Sequence, residues 1–116
     1  MKKFLAVFLG SAASMDKWRQ MPEEERKPKE KAGMEAWMQW MKDHEKSTVE
    51  MGSPLGKTKH VDKNGVTDIR NDMGAWVVVQ AESHEEAAKM FLNHPHFMIF
   101  PGDSVEIMEC LPIPKM

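Results

Sequence analysis

Hydrophobic positions along this chain come in two kinds: runs apolar at odd and even places alike, and stripes spaced for a helix. Residues 4–9, Phe-Leu-Ala-Val-Phe-Leu, are apolar at every position, and such a strand needs cover on both faces. Ala75 and Trp76, followed by three valines, repeat the pattern, so residues 75–82 predict a second central strand. Residues 29–46 instead carry Gly33, Met34, Trp37, Met38, Trp40, Met41 and His44 on one stripe, with Glu35, Gln39, Lys42, Asp43 and Lys46 opposite, at the roughly 100° per residue of an α-helix. This is the main amphipathic helix, with Trp37 and Trp40 as its core anchors and the methionines as core filler.

Between these elements the chain is more polar. Residues 10–29 form a helical connector in which Ser14, Pro22 with its three following glutamates, and Pro28 read as starts of short turns. Residues 48–51 predict a short strand ended by Gly52, Ser53 and Pro54. Residues 55–61 and 66–69 flank a turn whose Asn64 and Gly65 are a hairpin signal. Ser83 and Glu86 fit a capping box for a helix with the stripe Ala87, Ala88, Phe91 and Leu92, which must end before Pro95. Residues 105–111 alternate as a last strand before Pro112 and Pro114.

The order strand, helix, strand, hairpin, strand, helix, strand builds an α+β subunit of the β-α-β-β-α-β, ferredoxin-like kind. Its antiparallel sheet has the two doubly apolar strands at the centre and two helices on one face. Two helices leave the other apolar face bare, which predicts a homodimer through the sheet.

Composition narrows the class. At 116 residues, 41% hydrophobic and 29% charged, the chain suits one domain over residues 1–116 and neither disorder nor a membrane span. Lys2 and Lys3 before an apolar run resemble a signal peptide, but the run is short and lacks an A-x-A site. With no export signal and a single cysteine, Cys110, the expected home is cytoplasmic. A formal charge of −2 and a basic cluster limited to Lys57, Lys59, His60 and Lys63 predict a solvated hairpin tip and no nucleic-acid partner.

The candidate chemistry is thin. Nucleophile-elbow, phosphate-loop, dinucleotide and C-x-x-C motifs are all missing, and no cofactor is expected. Cys110, between Glu109 and Leu111, reads as an inert structural thiol.

Taken in order, Trp37-Met38-Gln39-Trp40, Gly52-Ser53-Pro54-Leu55-Gly56-Lys57, the stretch from Val79 to Ala88, His94-Pro95-His96 and Val105-Glu106-Ile107-Met108 resemble the YCII-related proteins, a branch of the dimeric α+β barrels, over nearly the whole chain. The resemblance implies a ferredoxin-like subunit pairing sheet to sheet, with a pocket between sheet and helices, in a family whose members mostly lack an assigned function. In some members a His early in the first long helix and an Asp before the Pro that follows the second helix are proposed as an acid/base pair. Residues 33–37 hold no His here and His94 precedes Pro95, so that dyad does not carry over.

His94 and His96 are the remaining candidate acid/base or ligand pair, since Pro95 keeps its predecessor extended and imidazoles titrate near neutrality. A plainer role for His94 is to close the preceding helix by bonding its last carbonyls. His44, in the last turn of the main helix, suits capping and partial burial, yet with Trp37, Trp40 and His94 it could line an apolar small-molecule pocket. Two ligand-spaced histidines are too few for a structural metal. Two functions fit these residues: a small-molecule enzyme using His94 or His96 in an apolar pocket, or a non-catalytic dimer that binds a ligand or a partner.

Overall fold

Alternation within the first strand sets the architecture. In the computed structural model, which describes residues 1–114, β1 spans Lys2–Leu9. Phe4, Ala6 and Phe8 are buried on one face, while Leu5, Val7 and Leu9 are half-buried on the other. α1 covers Ala12–Gln20 and α2 covers Glu23–Asp43; a short 3-10 turn leads to β2 at Thr48–Pro54. A hairpin follows, β3 at Thr58–Asp62 and β4 at Gly65–Ile69, then β5 at Met73–Ala81, α3 at His84–Lys89, α4 at Pro95–Met98 and β6 at Ser104–Glu109. The four-stranded sheet runs β2-β5-β1-β6 with every pair antiparallel. This is the ferredoxin-like α+β order, with β1 and β5 at the centre as their apolar runs require.

α2 starts well before the expected residue 29. Pro22 stands at its N-cap, Glu23, Glu24 and Glu25 occupy the first turn, and Pro28 sits inside the helix and does not open it. Proline removes one backbone donor at that point. Against that loss, the glutamates meet the positive end of the helix dipole, and the i,i+4 pairs Glu23–Lys27 and Arg26–Glu30 close at 3.0 and 3.1 Å.

The stripe on α2 is only partly core. Gly33 and Trp40 are buried and Trp37, Met41 and His44 half-buried, but Met34 and Met38 are 56% and 66% exposed. They border an open groove and do not fill the core. The core proper joins Phe4, Ala6, Phe8, Val77, Val79 and Ala81 of the sheet to Trp40, Ala87 and Phe91.

β2 runs past its expected end at 51 because Gly52, at φ +68°, makes a bulge and lets Ser53 and Pro54 rejoin β5. A side chain at Gly52 would place its Cβ 1.7 Å from the Trp76 carbonyl oxygen. The last strand ends at Glu109. Cys110 is exposed, which removes the structural role expected of it.

β3 and β4 form a separate two-stranded sheet that is almost wholly exposed. This arm and the single layer of helices give a plate of 56 × 43 × 18 Å with a radius of gyration of 16.3 Å, against about 13 Å for a compact chain of this length. On the sheet face away from the helices lie half-buried Leu5, Val7, Leu9, Trp76 and Val78, with Met108 paired to Leu5 and 42% exposed. No helix is long and apolar enough to cross a membrane among the described residues.

Candidate functional site

Two segments build the site: the inner face of α2 and the turn at α4. Ser83 caps α3 as the capping-box pattern requires, its hydroxyl accepting from the Glu86 N–H at 3.1 Å. The turn after α3 closes with Asn93 in the left-handed region at φ 58°, a conformation Asn tolerates. His94 is extended, as the residue before a proline must be, and Pro95 takes the first position of α4. The His94 side chain therefore does not bond the carbonyls of the preceding helix. It caps the following one, Nδ1 accepting from the His96 N–H at 3.0 Å.

His94 is fully buried. Its ring meets Trp37 and Trp40 edge-on with centroids 4.5 and 4.8 Å away, Phe8 at 5.0 Å and Phe91 at 5.9 Å. Burial first, then the neighbouring His96 and His44, lower its pKa from 6.5 to about 3. It is a neutral imidazole. Because Nδ1 accepts, Nε2 carries the hydrogen, and Nε2 has no partner among the described residues.

His96 is half-buried against the same aromatic cluster, 5.2 Å from Phe8 and 6.0 Å from Trp37 between ring centroids. Its Nε2–H donates to the Leu9 carbonyl at 2.8 Å, which leaves Nδ1 as the proton-accepting nitrogen of the neutral ring. Burial lowers its pKa, while the Leu9 and Ser104 carbonyls and the Asp103 carboxylate oppose that shift. Gly102 lies against the ring so closely that a Cβ there would fall 2.2 Å from Cε1 and Nε2.

Asp103 ties this corner to α1. Its backbone N–H donates to the same Leu9 carbonyl at 2.9 Å, and its carboxylate accepts from the Ser11 N–H at 2.5 Å and the Ser14 hydroxyl at 2.9 Å. Those hydrogen bonds hold its carboxyl below the usual carboxylate range.

A groove of about 1530 Å³ opens between α1, α2 and the edge of the sheet at the root of the hairpin. Trp37, Trp40, Met34, Met38, Met41 and His96 stand in its wall, joined by Met15, Trp18 and Phe100; Lys57 and Arg70 stand at the hairpin root. The volume exceeds the roughly 300–1,000 Å³ of an enclosed small-molecule site, so it is an open trough.

Of the expected site residues, Trp37, Trp40 and His96 meet at the groove. His94 lies behind the wall, and His44 is not in the lining. His44 stacks on Trp40 at 4.3 Å, and its Nδ1–H donates to the Trp40 carbonyl at 2.8 Å, as a C-terminal cap does. Sequence reasoning missed Met15, Trp18 and Phe100, which come from the connector and from the turn after α4, where no periodicity marks them. Among the described residues no three His, Cys, Asp or Glu side chains gather as a metal site.

No family model and no curated protein matches the chain. Among solved structures it is similar to 5-chloro-2-hydroxyhydroquinone dehydrochlorinase from Burkholderia phenoliruptrix, in complex with 2,5-dihydroxybenzoquinone, at 15% identity and a TM-score of 0.54 over 91% of this chain and 90% of that one. At that identity the likeness shows a shared α+β fold.

Proposed function

We propose that this chain is a single YCII-related domain that works in the cytoplasm as a homodimer and acts on a small aromatic or otherwise apolar compound by proton transfer at His96. The observation that carries the reading is the setting of His96: a half-buried imidazole in the wall of a tryptophan- and methionine-lined groove, its Nε2–H fixed on Leu9 and its Nδ1 lone pair retained. A base held neutral and oriented is what proton abstraction requires. The structurally similar dehydrochlorinase holds a dihydroxybenzoquinone, a flat polar-edged ring of the kind that Trp37 and the methionine wall would accept. The bare apolar sheet face and the 18 Å thickness of the subunit support the dimer.

Tryptophan fluorescence titrated with hydroxylated quinones and phenols tests this reading. Saturable quenching is expected, with turnover of a bound compound lost in His96→Gln. Failure of every such compound to bind at millimolar concentration would sink the proposal.

One observation favours a second reading. His96 is oriented by backbone carbonyls alone, with no side-chain hydrogen bond to its ring among the described residues, which also suits a non-catalytic dimer whose groove only holds a ligand or partner. Binding without turnover, unchanged in His96→Gln, is its signature.

A further inference from the structure

The residue whose chemistry the proposed reaction leaves unused is His94, and its surroundings are peculiar. A helix N-cap is ordinarily Ser, Asp, Asn or Thr, which accept the same hydrogen bond without burying a ring. Here the cap is a fully buried imidazole whose Nε2–H has no partner among the described residues, and a buried donor without a partner is a cost that native structures rarely retain without cause.

Two properties separate an imidazole from the usual caps. It accepts at Nδ1, and it is a rigid plate wide enough to be wedged between Trp37, Trp40, Phe8 and Phe91 at once. The acceptor holds the His96 N–H at 3.0 Å. The plate keeps that acceptor from moving. His96 is thus gripped at both ends, its backbone by His94 and its ring by the Leu9 carbonyl at 2.8 Å.

We infer that His94 is a positioning residue: wedged in the aromatic cluster, it holds the backbone N–H of His96 and so sets the direction of the His96 ring toward the groove. His94 does not touch the reacting atoms, since it lies outside the groove wall. A donor or base there would also have to act through Trp37 and Trp40, which pack edge-on against it. The titratable groups around the pair are His44, stacked on Trp40 beside His94, and Asp103, next to the His96 ring. Both are left intact by substitutions at His94.

The inference rests on His96 being the working group, but its test needs no ligand, so it can fail independently of the proposed reaction. In the full-length protein, NMR follows the His96 ring titration and the hydrogen exchange of the His96 amide. His94→Phe keeps the plate and removes the acceptor. We expect its His96 amide to exchange at least tenfold faster and the His96 midpoint to move up toward the ordinary imidazole value. His94→Asn restores an acceptor without the plate, so its His96 amide should exchange more slowly than in His94→Phe but faster than in the wild type. An unchanged His96 midpoint and amide in His94→Phe overturns the inference. Should His94→Phe fail to fold, His94→Asn decides alone: weaker protection of the His96 amide than in the wild type supports the wedge, and wild-type protection with an unchanged His96 midpoint in a folded protein refutes it.

Discussion

Gly33 and Phe100 are interlocked: a Cβ at Gly33 would lie 2.6 Å from Cε2 and Cζ of the Phe100 ring. The turn after α4 can seat on α2 only because the helix offers bare backbone there. Phe100 in turn meets Trp37 and Trp18, at 6.1 and 5.9 Å between centroids, so one missing methyl lets α1, α2 and the His96 turn share an aromatic wall.

Gly33→Ala tests that lock. In an open helix the change would stabilise by about 0.5–1 kcal/mol. Here the ring must leave, and forced repacking of this kind costs typically about 1–3 kcal/mol, so a net loss of stability is expected in urea denaturation. A gain would show that Phe100 yields freely.

Trp40→Ala should cost clearly more stability than His96→Ala. Trp40 is buried and its Nε1–H donates to the Met90 carbonyl at 2.9 Å, so loss of volume and of the bond amounts to roughly 3–5 kcal/mol. His96→Ala, from half-buried α4 with one ring hydrogen bond, should cost only about 1–2 kcal/mol. Equal costs in chemical denaturation would refute this ordering.

Much of this architecture can be read from the residues, and the exceptions have physical causes. β1 and β5 declare themselves because Phe4 to Leu9 and Trp76 to Val79 leave no polar face. The start of α2 is hidden because Pro28 reads as a boundary, while the charges that stabilise the earlier turn act through pairs such as Glu23–Lys27. β2 is cut short in the sequence because Gly52 looks like a terminator, although in the fold it is a bulge pressed on Trp76. At the site, Trp37, Trp40 and His96 are legible from helical spacing and side-chain chemistry. The reversal of His94 from C-cap to N-cap is not, because α4 has four residues and so short a helix has no periodicity to detect; Pro95 at its first position is the available signal.

Acid should expose the buried His94. Its pKa is about 3 in the fold against 6.5 ordinarily, so as pH falls the unfolded chain takes up a proton that the native state refuses. The stability contributed by the neutral ring is fully present above about pH 6.5 and is lost as pH falls toward 3, at about 1.4 kcal/mol per unit. His96, also lowered, acts in the same direction. Unfolding free energy measured from about pH 7.5 to 4.5 should fall less steeply in His94→Asn than in the wild type, and equal slopes would contradict a buried, neutral His94.

The bare sheet face predicts where charge would break the proposed dimer. Val78 is half-buried at the middle of β5, paired with Leu5 on one side and Glu50 on the other. Val78→Lys should leave the subunit folded by circular dichroism while lowering the sedimenting mass to that of one chain. A wild type that is already monomeric at micromolar concentration removes the premise.

Gly102→Ala probes the His96 ring directly, where His94 acts through the His96 backbone. The new Cβ would sit 2.2 Å from Cε1 and Nε2, far inside van der Waals contact, so either the backbone at residue 102 or the ring must move. The backbone is held, because the Gly102 N–H donates to the His96 carbonyl at 2.9 Å and the next residue, Asp103, is bonded to Leu9 and Ser11. The ring is the weaker restraint, one hydrogen bond to Leu9, worth roughly 0.5–1.5 kcal/mol net. It should therefore swing away, freeing Nε2 and losing the fixed tautomer. Stability is expected to drop by no more than about 1–3 kcal/mol, while any ligand response that depends on His96 falls at least tenfold. Retention of full ligand response in a folded Gly102→Ala protein would mean that the orientation imposed by Leu9 is not what the groove uses.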